Sequence, residues 1–278
     1  MKKKWNLRLI SQLSFFLLVA LIVLNHEISE SGIVLPIIGS SSLHSICPFG
    51  GVAAFVALFR WDVMVPKIHL SSFVVLGIIF VMSIIAGPLV CSYMCPLGSI
   101  QEWFGGLGRK IFKKRYNHFV PLRLDKILRY LRYLVLIWVV YLTTMSLRLV
   151  FLEVDPYFAL FNFWSSEATL GGLFVLGVTL LLSLFVERPW CKYACPFGAL
   201  IGLTNLFSIL SIRRNKTTCV DCKRCDTVCP MNIEVSKKKV VRDHQCIRCF
   251  ACTSEVSCPV PQTVELKVKA YEEVHHEA

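Results

Sequence analysis

Eight cysteines near the C-terminal end of the sequence fall into two runs whose spacing suits metal chemistry. The runs read Cys219-x2-Cys222-x2-Cys225-x3-Cys229-Pro230 and Cys246-x2-Cys249-x2-Cys252-x5-Cys258-Pro259. Three cysteines at this spacing wrap a tight loop, so their sulfurs converge on one face of a cubic cluster. The fourth cysteine, which precedes a proline, lies too far along the chain to close the same loop.

Zinc and disulfides are the competing interpretations of these cysteines. Structural zinc sites usually use two separated pairs with one short spacing each, and a triple run does not fit that pattern. Disulfides are rare in the cytoplasm, where the charge pattern described below places this part of the chain. The two runs therefore favour iron–sulfur clusters.

This stretch resembles a bacterial ferredoxin with two [4Fe–4S] clusters, in which the fourth cysteine of each run ligates the other cluster. One departure is that five residues, instead of three, precede Cys258. The resemblance implies about four iron atoms in each cluster. It implies cluster 1 on Cys219, Cys222, Cys225 and Cys258, and cluster 2 on Cys246, Cys249, Cys252 and Cys229.

Apolar segments of membrane-spanning length precede the cysteine runs. Hydrophobic residues make up 55% of the 278 positions, and mean hydropathy is +0.61. We expect an α-helical membrane protein with four transmembrane helices. The first segment follows Lys2–Lys4 without a small-residue cleavage site, so it is expected to be an uncleaved anchor. The predicted spans are Leu9–Leu24, Leu70–Val90, Tyr133–Val150 and Thr169–Val186.

Lysine and arginine are concentrated in alternate connections between these spans. The N-terminus, the loop around 109–132 and the chain after Val186 are rich in both, and the intervening loops are poor in them. The positive-inside rule then places both termini and the clusters in the cytoplasm of a bacterial inner membrane. The net charge of +12 reflects this topology and contact with anionic lipid. We expect no nucleic-acid partner.

The second and fourth spans end in matching motifs 100 residues apart. Residues 91–98 read CSYMCPLG and residues 191–198 read CKYACPFG. We therefore expect two repeated two-span halves, at about 70–112 and 169–212, in a membrane domain covering 1–212 with re-entrant or amphipathic segments. An α+β ferredoxin domain at 213–262 and a tail at 263–278 complete the prediction.

The repeated Cys-x3-Cys-Pro motif predicts a local geometry and a chemistry. A residue before proline leaves helical geometry, and proline suits the first turn of a helix. Cys95 and Cys195 are therefore expected at helix N-caps, where the helix end, with Arg188 and Lys192 nearby, favours the thiolate. A shared metal site for Cu(I), zinc or iron–sulfur, a redox dithiol and a docking role all remain open. The candidate thiols are Cys91, Cys95, Cys191 and Cys195, with Cys47 in a partial third copy.

Taken together, these features resemble the NapH/MauN family of membrane ferredoxin-type proteins, over nearly the whole chain. The resemblance implies a quinol dehydrogenase component that passes electrons toward a periplasmic reductase system. It also implies the membrane quinone pool and a second ferredoxin-type or cytochrome subunit as partners. Two alternatives are a copper or metal reductase (or oxidoreductase assembly factor) that uses the membrane thiols, and a redox-sensing membrane regulator.

A quinol site needs an apolar slot and a group that accepts protons. His44 lies three residues before Cys47 and is the first candidate base. Glu153 and Asp155, in the loop before the fourth predicted span, are the next candidates. Packing at the membrane interface is the alternative role for each of these residues.

Overall fold

The computed structural model describes residues 2–30, 70–146, 150–163 and 169–268. The predictions for His44, Cys47 and a re-entrant segment at Val52–Phe59 therefore lie outside the described residues. The described residues up to Thr204 are mostly helical, and a small sheet with short helical turns follows them.

The helices are numbered in chain order. They are α1 Lys2–Glu30, α2 Leu70–Ala86, α3 Leu89–Tyr93, α4 Pro96–Phe112, α5 Leu122–Leu128, α6 Leu131–Ser146, α7 Pro156–Asn162, α8 Leu170–Ser183, α9 Pro189–Tyr193, α10 Pro196–Thr204 and α11 Arg224–Thr227. Single 3-10 turns occupy Lys113–Arg115, Val150–Glu153, Val235–Lys237 and Ala251–Thr253.

Two stretches are helical, long and apolar enough to cross a membrane, namely Leu7–Asn25 and Leu122–Ser146. The second and fourth predicted spans correspond to the shorter apolar helices α2 and α8, of 17 and 14 residues. At about 1.5 Å per residue, α8 is roughly 21 Å long, which is less than the roughly 30 Å of a bilayer core. The arrangement of four spans thus stays a prediction.

The helices α2 and α8 end earlier than the sequence predicted, and the backbone explains the end of α2. Gly87, directly after α2, adopts a φ of 78°, whereas Arg188, five residues after the end of α8, adopts a φ of 50° immediately before Pro189, where α9 begins. Left-handed backbone terminates a helix, and proline cannot continue one. Each half then makes a one-turn helix, α3 or α9, before its second helix.

The predicted N-caps are confirmed. Cys95 and Cys195 have extended backbone conformations, and the prolines after them open α4 and α10. The Cys195 sulfur accepts a hydrogen bond from the amide of Gly198 at 3.2 Å, whereas the Cys95 sulfur makes no such capping bond.

The two halves pack reciprocally. The first helix of the second half, α8, packs on α4, and the first helix of the first half, α2, packs on α10. Ser83 and Ser183, which occupy equivalent positions 100 residues apart, are both fully buried. Reciprocal contacts of this kind are what a two-fold axis between repeated halves produces.

The C-terminal sheet has three antiparallel strands in the order β2-β1-β3, with β1 at Leu210–Arg214, β2 at Val240–Val241 and β3 at Val264–Val268. Ile212 on the central strand lies opposite Val241 and Leu266. The ladder joins residues on both sides of the predicted boundaries of 213–262, which stay a prediction. The first and last strands complete one another's backbone hydrogen bonds.

Polar contacts dock this C-terminal unit onto the helices. The guanidinium of Arg248 donates to Asn205 Oδ1 at 2.9 and 2.6 Å. Arg132 donates to the His244 carbonyl at 2.8 Å. A Cβ atom at Gly202 would lie 2.3 Å from that carbonyl oxygen, so only glycine permits this approach.

Candidate metal centres

The two cysteine runs of the C-terminal unit share an unusual backbone. The residues on either side of the middle cysteine have left-handed φ values, at Asp221 and Lys223 in one run and at Arg248 and Phe250 in the other. Such conformations are uncommon outside glycine, and they cluster at functional sites. Both runs therefore wrap in the same way.

Four of these cysteines line a single cavity, and the other lining residues are apolar. They are the four residues of the expected cluster 2: Cys229, Cys246, Cys249 and Cys252. The Cys229 sulfur also accepts a hydrogen bond from the amide of Ile233 at 3.4 Å. Four sulfurs around an apolar cavity, with a backbone amide directed at one of them, fit a cysteine-ligated [4Fe–4S] cluster.

The four residues of the expected cluster 1 are less enclosed. Cys225 is buried and lies close enough to Cys219 for their charges to interact, whereas Cys222 is exposed. Arg214 Nη1 donates to the Cys219 sulfur at 3.2 Å, and the Cys258 sulfur donates to the Val260 carbonyl at 3.3 Å. We call these four cysteines the distal set, which includes the exposed Cys222, and the four around the cavity the proximal set, none of which is exposed.

The cysteines of the two membrane motifs come together. Cys195 lies close enough to interact electrostatically with the other three, and Cys91 does so with Cys95 and Cys191. Cys91 and Cys191 also pack against the hydrophobic core of the C-terminal unit, as Cys249 does. These thiols therefore adjoin the proximal set.

The expectation that these thiols are activated needs correction. Burial raises the pKa of Cys91 to about 12 and that of Cys191 to about 11, and it outweighs the opposing effect of Arg188. Lys192 does not contribute, because its Nζ pairs with Asp125 Oδ1 at 2.7 Å. Without a bound cation these thiols are protonated near neutral pH.

A buried ion-pair network, which sequence reasoning missed, surrounds the same motifs. Glu102 on α4 binds Arg188 through Nη2, Arg8 at 2.6 Å and Gln12 at 3.1 Å. Arg188 is fully buried and also donates to the Cys91 carbonyl at 2.6 Å. Burial opposes ionisation of Glu102, yet the two arginines hold its pKa below the usual value. The sequence signal that could have indicated this network is the presence of Arg8, Glu102 and Arg188 close to apolar segments.

The structure separates the two described candidates for a quinol base. Glu153 is exposed, and its backbone carbonyl accepts a hydrogen bond from Thr169 at 2.5 Å. Asp155 is buried at the N-cap of α7, where it accepts from the Tyr157 amide at 3.0 Å. Burial raises the pKa of Asp155 to about 7. The Asp155 carboxylate also lies close enough to Cys95 to interact with it electrostatically.

Comparison with known proteins agrees with this geometry. A family model described as a 4Fe-4S binding domain matches residues 68–115 and 168–216. A 4Fe-4S dicluster domain model matches residues 211–259. No solved structure is significantly similar to the chain.

Three curated relatives illustrate the similarity. The putative electron transport protein YccM of Escherichia coli is 33% identical over 73% of this chain and 58% of its own length. An uncharacterized protein of Methanocaldococcus jannaschii is 33% identical over 75% of this chain and 82% of its own length. The ferredoxin-type protein NapH of E. coli is 26% identical over 65% of this chain and 63% of its own length. The chain thus spans 58% of the length of YccM.

These findings define a ferredoxin-type electron-transport protein with 4Fe-4S domains. Within that class, the chain belongs to the NapH/MauN-type family.

Proposed function

We propose that this protein is a membrane-bound electron-transfer subunit that oxidises quinol and passes the electrons through two [4Fe–4S] clusters toward a periplasmic reductase system. The clusters supply one-electron chemistry when bound. Oxidation of one quinol releases two electrons and two protons. Clusters bound at the two cysteine sets would take up the two electrons, Asp155 would accept one proton, and water would accept the other.

The observation that supports the proposal is a series of neighbouring cysteines that begins beside a buried carboxylate. Asp155 lies near Cys95, the four motif thiols adjoin one another, and Cys91 and Cys191 pack on the same core as Cys249. The series continues from the proximal set to Cys225, which lies close enough to Cys252 to interact with it electrostatically. It ends at the exposed Cys222, where a second redox subunit would dock.

The proposal keeps the four spans and the cytoplasmic position of both termini that the lysine and arginine distribution predicts. The apolar exterior of the helices supports it. Large hydrophobic side chains such as Leu17, Ile137 and Leu181 are more than half exposed in α1, α6 and α8. Exposed apolar surface of this extent is typical of contact with lipid.

The copper-reductase alternative receives less support. Among residues 2–30, 70–146, 150–163 and 169–268, no three His, Cys, Asp or Glu side chains converge closely enough to share one metal ion. Within these residues, no such group supports a mononuclear copper or zinc site.

A direct test uses the full chain in liposomes with a quinol as reductant. We expect quinol to reduce the clusters, as followed by electron paramagnetic resonance. Asp155→Asn should slow this reaction about 10²-fold or more, as expected for loss of a general base, while dithionite still reduces the clusters. Glu153→Gln, at the exposed neighbouring carboxylate, is the matched control and should react at the wild-type rate. Clusters in the wild-type protein that exchange no electrons with either quinol or quinone would overturn the proposal.

A further inference from the structure

The membrane motif repeats the end of a ferredoxin cysteine run. The first ferredoxin run closes with Cys225-x3-Cys229-Pro230, and the halves carry Cys91-x3-Cys95-Pro96 and Cys191-x3-Cys195-Pro196. In the ferredoxin arrangement, both cysteines of this closing segment are cluster ligands, the first of one cluster and the second of the other. The same spacing therefore occurs three times, once inside a unit that matches a 4Fe-4S dicluster family.

The three copies also share a local backbone. In each, the first cysteine lies on a one-turn helix, one C-cap residue follows, and the second cysteine precedes proline. The one-turn helices are α11, α3 and α9, and their C-caps are Val228, Met94 and Ala194. The spacing thus directs the same fold in both parts of the molecule.

Backbone amides donate to the second sulfur in two of the three copies. The Cys229 sulfur accepts from Ile233 at 3.4 Å, and the Cys195 sulfur accepts from Gly198 at 3.2 Å. The amides of Leu97 and Gly98 lie close to the Cys95 sulfur. Amide hydrogen bonds to sulfur are a regular feature of iron–sulfur sites, where they tune the potential.

Glycines allow close packing around the four motif thiols, and hydrogen-bond donors and a positive charge lie near their sulfurs. A Cβ atom at Gly98 would lie 3.0 Å from Arg188 Nη1, and one at Gly198 would lie 3.4 Å from the Cys195 sulfur. The buried guanidinium of Arg188 faces Cys91 and Cys191, and Gln101 Nε2 donates to the Cys191 sulfur at 3.5 Å. A cluster with four thiolates is anionic, so these groups would stabilise it.

The four motif thiols and the proximal set are alike in one respect. Neither the four motif thiols nor the four cysteines around the proximal cavity form a group that could share one ion within the described residues. Sulfur ligands of a multi-iron cluster bind different iron atoms, so they lie farther apart than the ligands of a single zinc or copper ion.

From these observations we infer that Cys91, Cys95, Cys191 and Cys195 together bind a third iron–sulfur cluster, with two ligands from each half. The matches of the halves to a 4Fe-4S binding family support it, but they assign neither ligands nor a shared site. The inferred cluster lies between Asp155 and the proximal ferredoxin site. Its place in quinol oxidation depends on the function proposed above, whereas its existence does not.

The test measures iron and acid-labile sulfide in the anaerobically purified full chain. The two ferredoxin clusters account for about eight iron atoms, and a shared third cluster adds about two as [2Fe–2S] or about four as [4Fe–4S]. Cys95→Ser and Cys195→Ser should each lose only this additional iron and keep the ferredoxin resonance signals. The comparison variant Cys222→Ser should lose about four iron atoms from the distal set and keep the additional iron.

A wild-type content of about eight iron atoms, with or without stoichiometric zinc or copper, would overturn the inference even if the serine variants do not fold. Retention of the additional iron in folded Cys95→Ser and Cys195→Ser would overturn the ligand assignment. A wild-type protein without the iron and resonance signals of the two ferredoxin clusters would instead contradict the two-cluster assignment. Failure of the inferred third cluster and failure of the proposed function are therefore distinguishable.

Discussion

Replacing Glu102 by glutamine should destabilise the protein strongly, because it leaves a buried guanidinium without its counter-charge. The side chain of Arg188 is 0% exposed, and that of Arg8 is 11% exposed, so water cannot replace the lost carboxylate. The remaining partner of Arg188 would be the Cys91 carbonyl. Breaking a buried ion pair from one side typically costs about 3–5 kcal/mol.

The exposed carboxylate Glu234 provides a matched control. It pairs with Lys126 at 2.9 Å and with Lys237 at 2.5 Å, but those lysine side chains are 55% and 70% exposed. Although the pairing lowers the pKa of Glu234 to about 2, solvent screens such pairs. Glu234→Gln should therefore cost less than about 1 kcal/mol.

The assay is denaturant unfolding of the purified chain in detergent, followed by tryptophan fluorescence. We expect Glu102→Gln to shift the unfolding equilibrium by roughly a hundredfold or more relative to Glu234→Gln. The double variant Glu102→Gln with Arg188→Met should recover part of the loss, because it removes the buried charge as well. Equal, small effects of the two glutamine substitutions would refute the buried network.

The same network predicts a direction of pH dependence. The folded-state pKa of Glu102 is lowered, since the arginines outweigh burial. The carboxylate therefore contributes stability above its unfolded pKa of about 4.3, and that stability is lost as the pH falls through the folded pKa. Glu102→Gln should remove this part of the acid sensitivity.

Three further predictions concern docking, proton transfer and topology. Gly202→Ala should weaken packing of the C-terminal unit, detected as faster hydrogen exchange there, because its Cβ would meet backbone 2.3 Å away; Gly177→Ala, with no atom within 4 Å of its Cβ, should not. The quinol oxidation rate should rise with pH through about 7 as Asp155 becomes a base, and Asp155→Asn should abolish this profile. Reporter fusions should place Arg115 in the cytoplasm and Glu167 outside; the opposite result would overturn the charge-based topology.

The sequence predicted local features of the site where spacing alone determines geometry. The Cys-x2-Cys spacing predicted that Cys246, Cys249 and Cys252 lie together, and cysteine before proline predicted the N-caps at Cys95 and Cys195. Both depend on a few adjacent residues, whose backbone preferences act independently of the rest of the fold.

Features that depend on long-range packing could not be predicted in the same way. The pairing of Glu102 with Arg188 joins positions 86 residues apart, and its strength depends on burial that only the assembled halves create. The activated thiols were a wrong prediction for the same reason, because burial raises the pKa of Cys95 and Cys195 despite the backbone amides at the start of each helix. The last strand, which ends at Val268, pairs with Leu210, and no local signal indicates that partner.

The central claim is that electrons from quinol enter through the proximal cluster site and leave through the distal one. Freeze-quench electron paramagnetic resonance of the Cys222→Ser variant tests it most directly, because the exposed distal site is disabled and the buried proximal set is untouched. The account predicts that quinol still reduces the proximal cluster of this variant at the wild-type rate, while transfer to an external acceptor fails. Loss of quinol-driven reduction in the variant, with the proximal cluster intact, would show that electrons enter at the distal site and would contradict the account.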